Sequence, residues 1–173
     1  MLKKVGYQIV SSPVGRLLIT ERDGHLAKLW FLNDKPYHPP SHYWLDKSSK
    51  VLGRTKQQLK EYFEGERKTF DVPLFFNGTE FNKTVWRQLL QIDFGETASY
   101  MDVAKKINNP RAVRAVGLAN NRNPIAIICP CHRVIGSNGK LVGFGGGLEK
   151  KDWLLRHENR YSGKEHQLEL FEI

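Results

Sequence analysis

Residues 125–136 read IAIICPCHRVIG, and they hold both cysteines of the chain, with Pro130 between Cys129 and Cys131 and with His132 and Arg133 directly after. A bridge between cysteines two apart needs a geometry that disulfides strongly disfavour, so two reduced thiols are expected, in a reducing compartment such as the cytoplasm. Three chemistries compete for the cluster. A metal site needs three or four ligands at workable angles, and Cys129, Cys131 and His132 lie too close in sequence to close a tetrahedron easily. The other histidines add little: His38 and His42 are separated by a proline pair, and His25, His157 and His166 stand alone. A packed thiol suits Cys129, which continues the apolar run 125–128 and would serve there as a small hydrophobe. A nucleophile suits Cys131, because Pro130 fixes the backbone ahead of it, and an adjacent imidazole and guanidinium are surroundings that lower a thiol's pKa.

These residues need a scaffold, and 173 residues are enough for one ordinary domain or two small ones. The N-terminus MLKKVGYQIV has no apolar run long enough for a signal peptide or a membrane span. The formal net charge is +9, and it is unevenly spread: between Tyr100 and Arg133, Lys105, Lys106, Arg111, Arg114, Arg122 and Arg133 stand against the single acid Asp102. Such an excess is either a solvated helix face or an anion-binding surface.

Two textures divide the chain near residue 76. In the first, YQIVSSPVGRLLIT and HLAKLWFL read as strands joined by turns at residues 12–15 and at Asp23-Gly24. The proline-rich DKPYHPPSHYW reads as loop. Leu52, Thr55, Leu59, Tyr62 and Phe63 recur at helical spacing before Gly65, and KTFDVPLFF reads as a closing strand. In the second texture, Thr79 caps a helix that buries Phe81, Val85, Trp86, Leu89 and Leu90, and Ser99 caps a helix beginning SYMDVAKKI. A further helix is expected from Asn109 as cap and Pro110 in the first position, and the pair has the form of a helix-turn-helix. Ala112, Ala115, Val116 and Ala119 give it a narrow face suited to close approach, with Arg111, Arg114 and Arg122 off that face. With the local charge excess, this favours DNA binding in which phosphate contacts supply affinity. PIAII then reads as a buried strand delivering Cys131 beside the basic helix.

PCHRVIG, preceded by RAVGLANNRNPIAII and followed by GKLVGFGGGLEKKDWLLRHE, resembles the O6-alkylguanine-DNA alkyltransferases, also called methylated-DNA-protein-cysteine methyltransferases, over residues 78–158. The resemblance implies that Cys131 accepts a methyl or short alkyl group, that His132 takes its proton through a water, and that Glu158 orients that imidazole. It implies that Tyr100 lines the pocket and protonates the departing guanine, that Arg114 fills the gap left by the extruded base, and that Asn123 ties the recognition helix to the active-site loop. Arg111 and Ala115 fall on the DNA side, and Val134, Phe144 and Gly145 on the substrate pocket. Phe144 stands where the family commonly has tyrosine and Gly145 where serine is frequent, so one hydroxyl hydrogen bond is lost there. Metal ligands of some relatives' N-terminal domain have no counterpart, since residues 1–128 lack cysteine.

The implied fold is an α/β N-terminal domain, a small sheet plus helix that is ribonuclease H-like by resemblance, over 1–76. A mostly α C-terminal domain with a winged-helix-like helix-turn-helix follows over 77–163, then a tail over 164–173. The implied activity is direct, stoichiometric and irreversible repair of O6-alkylguanine in double-stranded DNA, after base flipping from the minor groove, with no cofactor or metal and with the protein acting as a monomer. Two other classes remain: a non-transferring alkylated-DNA lesion binder, whose known examples carry another residue at the cysteine position, and a helix-turn-helix regulator with an incidental thiol. In the tail, Gln167, Leu168, Leu170 and Phe171 resemble the short peptide by which bacterial repair proteins dock on the sliding clamp; the alternative is packing on the protein's own domain.

Overall fold

The computed structural model describes residues 5–163. The chain divides between Asn77 and Gly78 into two compact units.

The first unit is a four-stranded sheet carrying one helix. Strands β1 (Val5–Ser12), β2 (Gly15–Arg22) and β3 (His25–Phe31) form an antiparallel meander, and β4 (Tyr43–Leu45) pairs parallel to β1, giving the order β3-β2-β1-β4. The β2–β3 turn has φ 52° at Asp23 and 75° at Gly24. Both central residues are thus left-handed, the turn whose twist matches a hairpin and which Asp-Gly favours. Strand β2 buries four consecutive residues, 17–20, so both of its faces are covered. Helix α1 (Lys50–Phe63) is capped by the Ser49 side chain and lays Leu52, Thr55, Leu59 and Tyr62 against the sheet. Two expectations change here. KTFDVPLFF forms no strand; it makes a single bridge from Leu74 to Leu26, since Pro73 has no N–H to extend a ladder. The proline-rich loop ends in the short strand β4.

The second unit is helical. Helix α2 (Glu80–Leu89) is capped by Thr79 and buries Val85, Trp86 and Leu89. A two-residue strand β5 (Ala98–Ser99) leads into α3 (Tyr100–Lys106), where Ser99 and Asp102 cap reciprocally. Helix α4 (Val113–Asn121) packs on α2 and α3, and the Trp86 indole donates to the Ala119 carbonyl at 2.8 Å. A single 3-10 turn, Cys131–Arg133, then feeds β6 (Val134–Ile135), parallel to β5, and α5 (Leu148–Tyr161) closes the unit.

Helix α4 starts later than Asn109-Pro110 predicted. Those residues form a turn, closed by Ala112 N–H on the Asn109 carbonyl, and Ala112 caps α4 without a side-chain bond. PIAII is likewise not a strand. Residues 125–129 are a buried series of turns, with Cys129 N–H on the Ile125 carbonyl and Ile127 at φ 69°. A β-branched residue in the left-handed region is costly, and it persists only where its surroundings over-determine it. Here Ile127 lies fully buried and the loop is tied from its flank by Asn123.

Candidate active site

Asn123, just past the end of α4, is the tie. Its Oδ1 accepts from Ile125 N–H at 3.0 Å and its Nδ2 donates to the Cys129 carbonyl at 2.8 Å, so one buried amide clamps the loop that presents Cys131. Cys129 is fully buried with its Sγ on the Trp86 carbonyl, and burial pushes its thiol well above the usual range. It is a packed side chain.

Cys131 opens the 3-10 turn and is 3% exposed. Burial pushes its thiol up to about 11, opposed by the Asn123 side chain and by the charge of Lys151. The sequence predicted acidification by His132 and Arg133, and this is corrected: both side chains turn away to Glu158. His132 Nε2 lies 2.8 Å from Glu158 Oε1, and Arg133 donates through Nε to Oε2 at 2.8 Å and through Nη2 to Oε1 at 2.9 Å. Gly95 N–H completes the carboxylate at 3.1 Å; Gly95 has φ 76°, and a Cβ there would come within 2.6 Å of the Ser162 side chain. Glu158 is 1% exposed, and although burial raises its pKa, the charges and hydrogen bonds of His132 and Arg133 more than reverse this and keep it ionised. Burial lowers the pKa of His132, and the resting imidazole is neutral. With the carboxylate accepting at Nε2, the ring proton sits there, and the Nδ1 lone pair is buried without a hydrogen-bond partner.

The cation near Cys131 is Lys151, which sequence reasoning missed. Its Nζ donates to the Val134 carbonyl at 2.6 Å and the Val142 carbonyl at 2.9 Å, and burial pulls its pKa down to about 8. The signal was in the periodicity. Lys151, Leu154, Leu155 and Glu158 follow i, i+3, i+4 and i+7, and all four lie on the buried face of α5. Tyr100 donates its hydroxyl to the same Val142 carbonyl at 3.0 Å, and burial raises the phenol to about 12. Asn120, also missed, donates from Nδ2 to the Cys131 carbonyl at 3.3 Å.

The structure therefore brings Cys131, His132, Glu158, Tyr100, Asn123 and the buried Val134 into one network. Phe144 is half-buried and Gly145 exposed, in the glycine-rich segment between Val142 and α5. Arg111, Arg114 and Ala115 lie outside the network, exposed. The expected small-residue face of α4 is split: Val116 and Ala119 are core, while Ala115 shares the open side with Arg114, Arg122 and Leu118, the last 57% exposed. Among the described residues no three His, Cys, Asp or Glu side chains converge to hold a metal ion. No described helix is long and apolar enough to cross a membrane. Residues 167, 168, 170 and 171 lie outside the described residues.

Residues 80–160 match the DNA-binding domain model of 6-O-methylguanine DNA methyltransferase, and residues 5–76 match its ribonuclease-like domain model. A Methanosarcina mazei protein named methylated-DNA–protein-cysteine methyltransferase is 49% identical over 152 residues, 88% of this chain and 96% of that protein. This chain belongs to the methylated-DNA–protein-cysteine methyltransferase family. Its two-unit methyltransferase fold, a sheet domain followed by a helical DNA-binding domain, is also that of the Mycobacterium tuberculosis O6-methylguanine methyltransferase, with a TM-score of 0.84 at 44% identity over 93% of this chain and 96% of that one. The M. tuberculosis OGT in complex with DNA is similar, with a TM-score of 0.82 at 44% identity over 90% of this chain and 94% of that one.

Proposed function

We propose that this methyltransferase repairs O6-alkylguanine in double-stranded DNA by moving the alkyl group to Sγ of Cys131, once per molecule and irreversibly. The observation that carries the reading is the buried His132–Glu158 pair, held by Arg133 and directly following a cysteine. The thiol proton passes to Nδ1 of His132, through the water that the family resemblance implies. The imidazolium so formed is paired with a carboxylate already ionised. Sulfur then attacks the alkyl carbon, the S–C bond forms as the C–O6 bond breaks, and Tyr100 gives a proton to the departing guanine. The proton taken from the thiol finally replaces the one that left Tyr100, so the products are a thioether and guanine.

Since resting Cys131 is a protonated thiol inside the protein, the base must reach it extruded from the stack. In this reading α3 and α4 act as a helix-turn-helix entering the minor groove, and β5 and β6 supply the winged-helix-like part. Arg114 occupies the space left by the base, Arg111 and Ala115 line the DNA side, and Val134, Phe144 and Gly145 line the base pocket. The ribonuclease H-like character of the N-terminal unit, a monomeric state and a cytoplasmic location belong to the same reading. Docking of the tail on the sliding clamp through Gln167, Leu168, Leu170 and Phe171 is a separate proposal, tested by clamp pull-down with and without residues 167–171. For the main reading, titration with duplex carrying radiolabelled O6-methylguanine should saturate at one methyl per protein. Continued turnover, or binding without label transfer, would overturn it.

A further inference from the structure

The first unit carries a cleft of its own, of about 580 Å³, between helix α1 and the β1–β2 hairpin. Its volume falls within the range of small-molecule sites, about 300–1,000 Å³. Ile9, Val10 and Pro13 line it from the hairpin, and Gly53, Lys56, Lys60 and Phe63 from the helix. Two of these choices run against helix preference. Gly53 lies inside α1, where glycine is the weakest helix former after proline. A Cβ added there would meet no atom within 4 Å, so no tight packing within the protein calls for the glycine. Lys56 and Lys60 stand one turn apart on the same helix, a spacing at which like charges repel. Lys60 approaches Glu64 at 3.8 Å, whereas Lys56 has no acidic partner among the described residues. Departures from local preference gathered at one place are expected where a surface has a function to serve.

One kind of ligand accounts for both. The bare backbone at Gly53 lets a flat body lie close against the helix. Ile9, Val10, Pro13 and Phe63 offer that body an apolar bed, and Ile9 is left 38% exposed there. Among the charged side chains of the lining, two lysines, Lys56 and Lys60, stand against the single Glu64, which leaves one positive charge for an anionic head. We propose that this cleft is a binding site for a small amphipathic anion, a flat apolar body carrying one carboxylate or similar acid group. The lining belongs wholly to the first unit, so the site stands or falls separately from the reading of Cys131 as alkyl acceptor.

Naphthalene-2-carboxylate is a probe of that shape, and naphthalene-2-carboxamide is its neutral counterpart. Titrated into the isotope-labelled full chain, the acid should shift the Gly53 and Lys56 amide signals to saturation, with a Kd of about 1 mM or tighter, the scale open to a ligand of this size. The carboxamide should bind about 10-fold more weakly, having lost the charge-assisted contact. Lys56→Gln should weaken the acid by about 3- to 5-fold, as for one partly exposed ion pair. Gly53→Leu separates the site from the scaffold. A helix-interior glycine replaced where there is space should leave Tm unchanged or higher, while the new side chain fills the cleft and abolishes the saturable shifts. Gly53→Ala replaces the leucine variant if that one does not fold, and should weaken the acid without lowering Tm. Shifts that never saturate, equal affinity for acid and carboxamide, or binding untouched by filling at Gly53 would each overturn the inference.

Discussion

Replacing Glu158 by glutamine removes one charge and leaves the shape nearly unchanged. In the native protein the carboxylate receives one bond from His132, two from Arg133 and one from Gly95, at 2.8 to 3.1 Å, from a position 1% exposed. A glutamine amide has one accepting oxygen, and its NH2 meets an Arg133 donor in either orientation, together with the imidazole at the Oε1 position or with Gly95 N–H at the Oε2 position. The imidazole can adapt by exchanging tautomers, but the guanidinium offers only donors. Arg133 is thus left buried with its charge unopposed, keeping its bond to the Ile92 carbonyl. One charge-assisted bond is lost outright, about 1.5–3 kcal/mol, and the other now ends on a neutral oxygen. Removing one member of a buried ion pair independently gives about 3–5 kcal/mol. For a unit of this size each kcal/mol lowers Tm by about 4–8 °C, so the transition should fall by at least about 12 °C. Scanning calorimetry of the full chain measures this, and a double-mutant cycle with Arg133→Met isolates the pair. The double variant should be more stable than Glu158→Gln alone, because the stranded charge goes with it. In a variant kept folded at low temperature, transfer should slow by about 10²–10⁴, the range for losing a positioned acid–base group. A Tm within about 2 °C of wild type with an unchanged transfer rate would refute the reasoning and return Glu158 to an ordinary helix acid.

Other consequences follow from the same geometry. Alkylation of resting Cys131 by iodoacetamide, followed by peptide mass, should be slow at neutral pH and climb as pH approaches about 11, with Lys151→Met moving the climb higher still; fast reaction unchanged between pH 6 and 8 would mean a resting thiolate. Stability should fall on the acid side. Burial depresses His132 and its partners depress Glu158, so both contribute fully above their unfolded values, about 6.5 and 4.3, and lose that contribution as pH falls. On the alkaline side the raised Cys129 and Cys131 lose stability as pH rises through the unfolded thiol range, and the depressed Lys151 offsets only part of this, so Tm should fall between pH 8 and 10. Arg114→Ala should weaken binding to the lesion-bearing duplex more than to the lesion-free one, since Arg114 fills the gap that the extruded base leaves; an equal loss on both, with the salt slope reduced by about one, would make it an ordinary phosphate contact.

How far the sequence carried this reading depended on whether the signal was local. Caps at Thr79 and Ser99 and the Asp23-Gly24 turn were legible because the side chain that ends or bends the element lies next to it in the chain. PIAII, residues 124–128, has the pattern of a strand but forms turns, because an apolar run marks burial and not conformation. What bends it is Asn123 from outside the run. The start of α4 was misplaced because Asn109 and Pro110 suit a helix start and a turn equally well. The thiol environment was misjudged for a related reason: adjacency in sequence put His132 and Arg133 beside Cys131, yet both side chains are claimed by Glu158, 25 or 26 residues away. Lys151 and Asn120 went unseen because a lysine in a charged run and an asparagine in a helix are ordinary surface residues until the helix face is known.

The most direct test of the account is the mass of the peptide spanning Cys129 and Cys131 after reaction with duplex containing O6-methylguanine. A gain of about 14 Da, fragmented to Cys131, should be present in wild type and Cys129→Ala and missing from Cys131→Ser. A methyl group found on Cys129, or a protein that clears the lesion with Cys131 unmodified, would contradict the account.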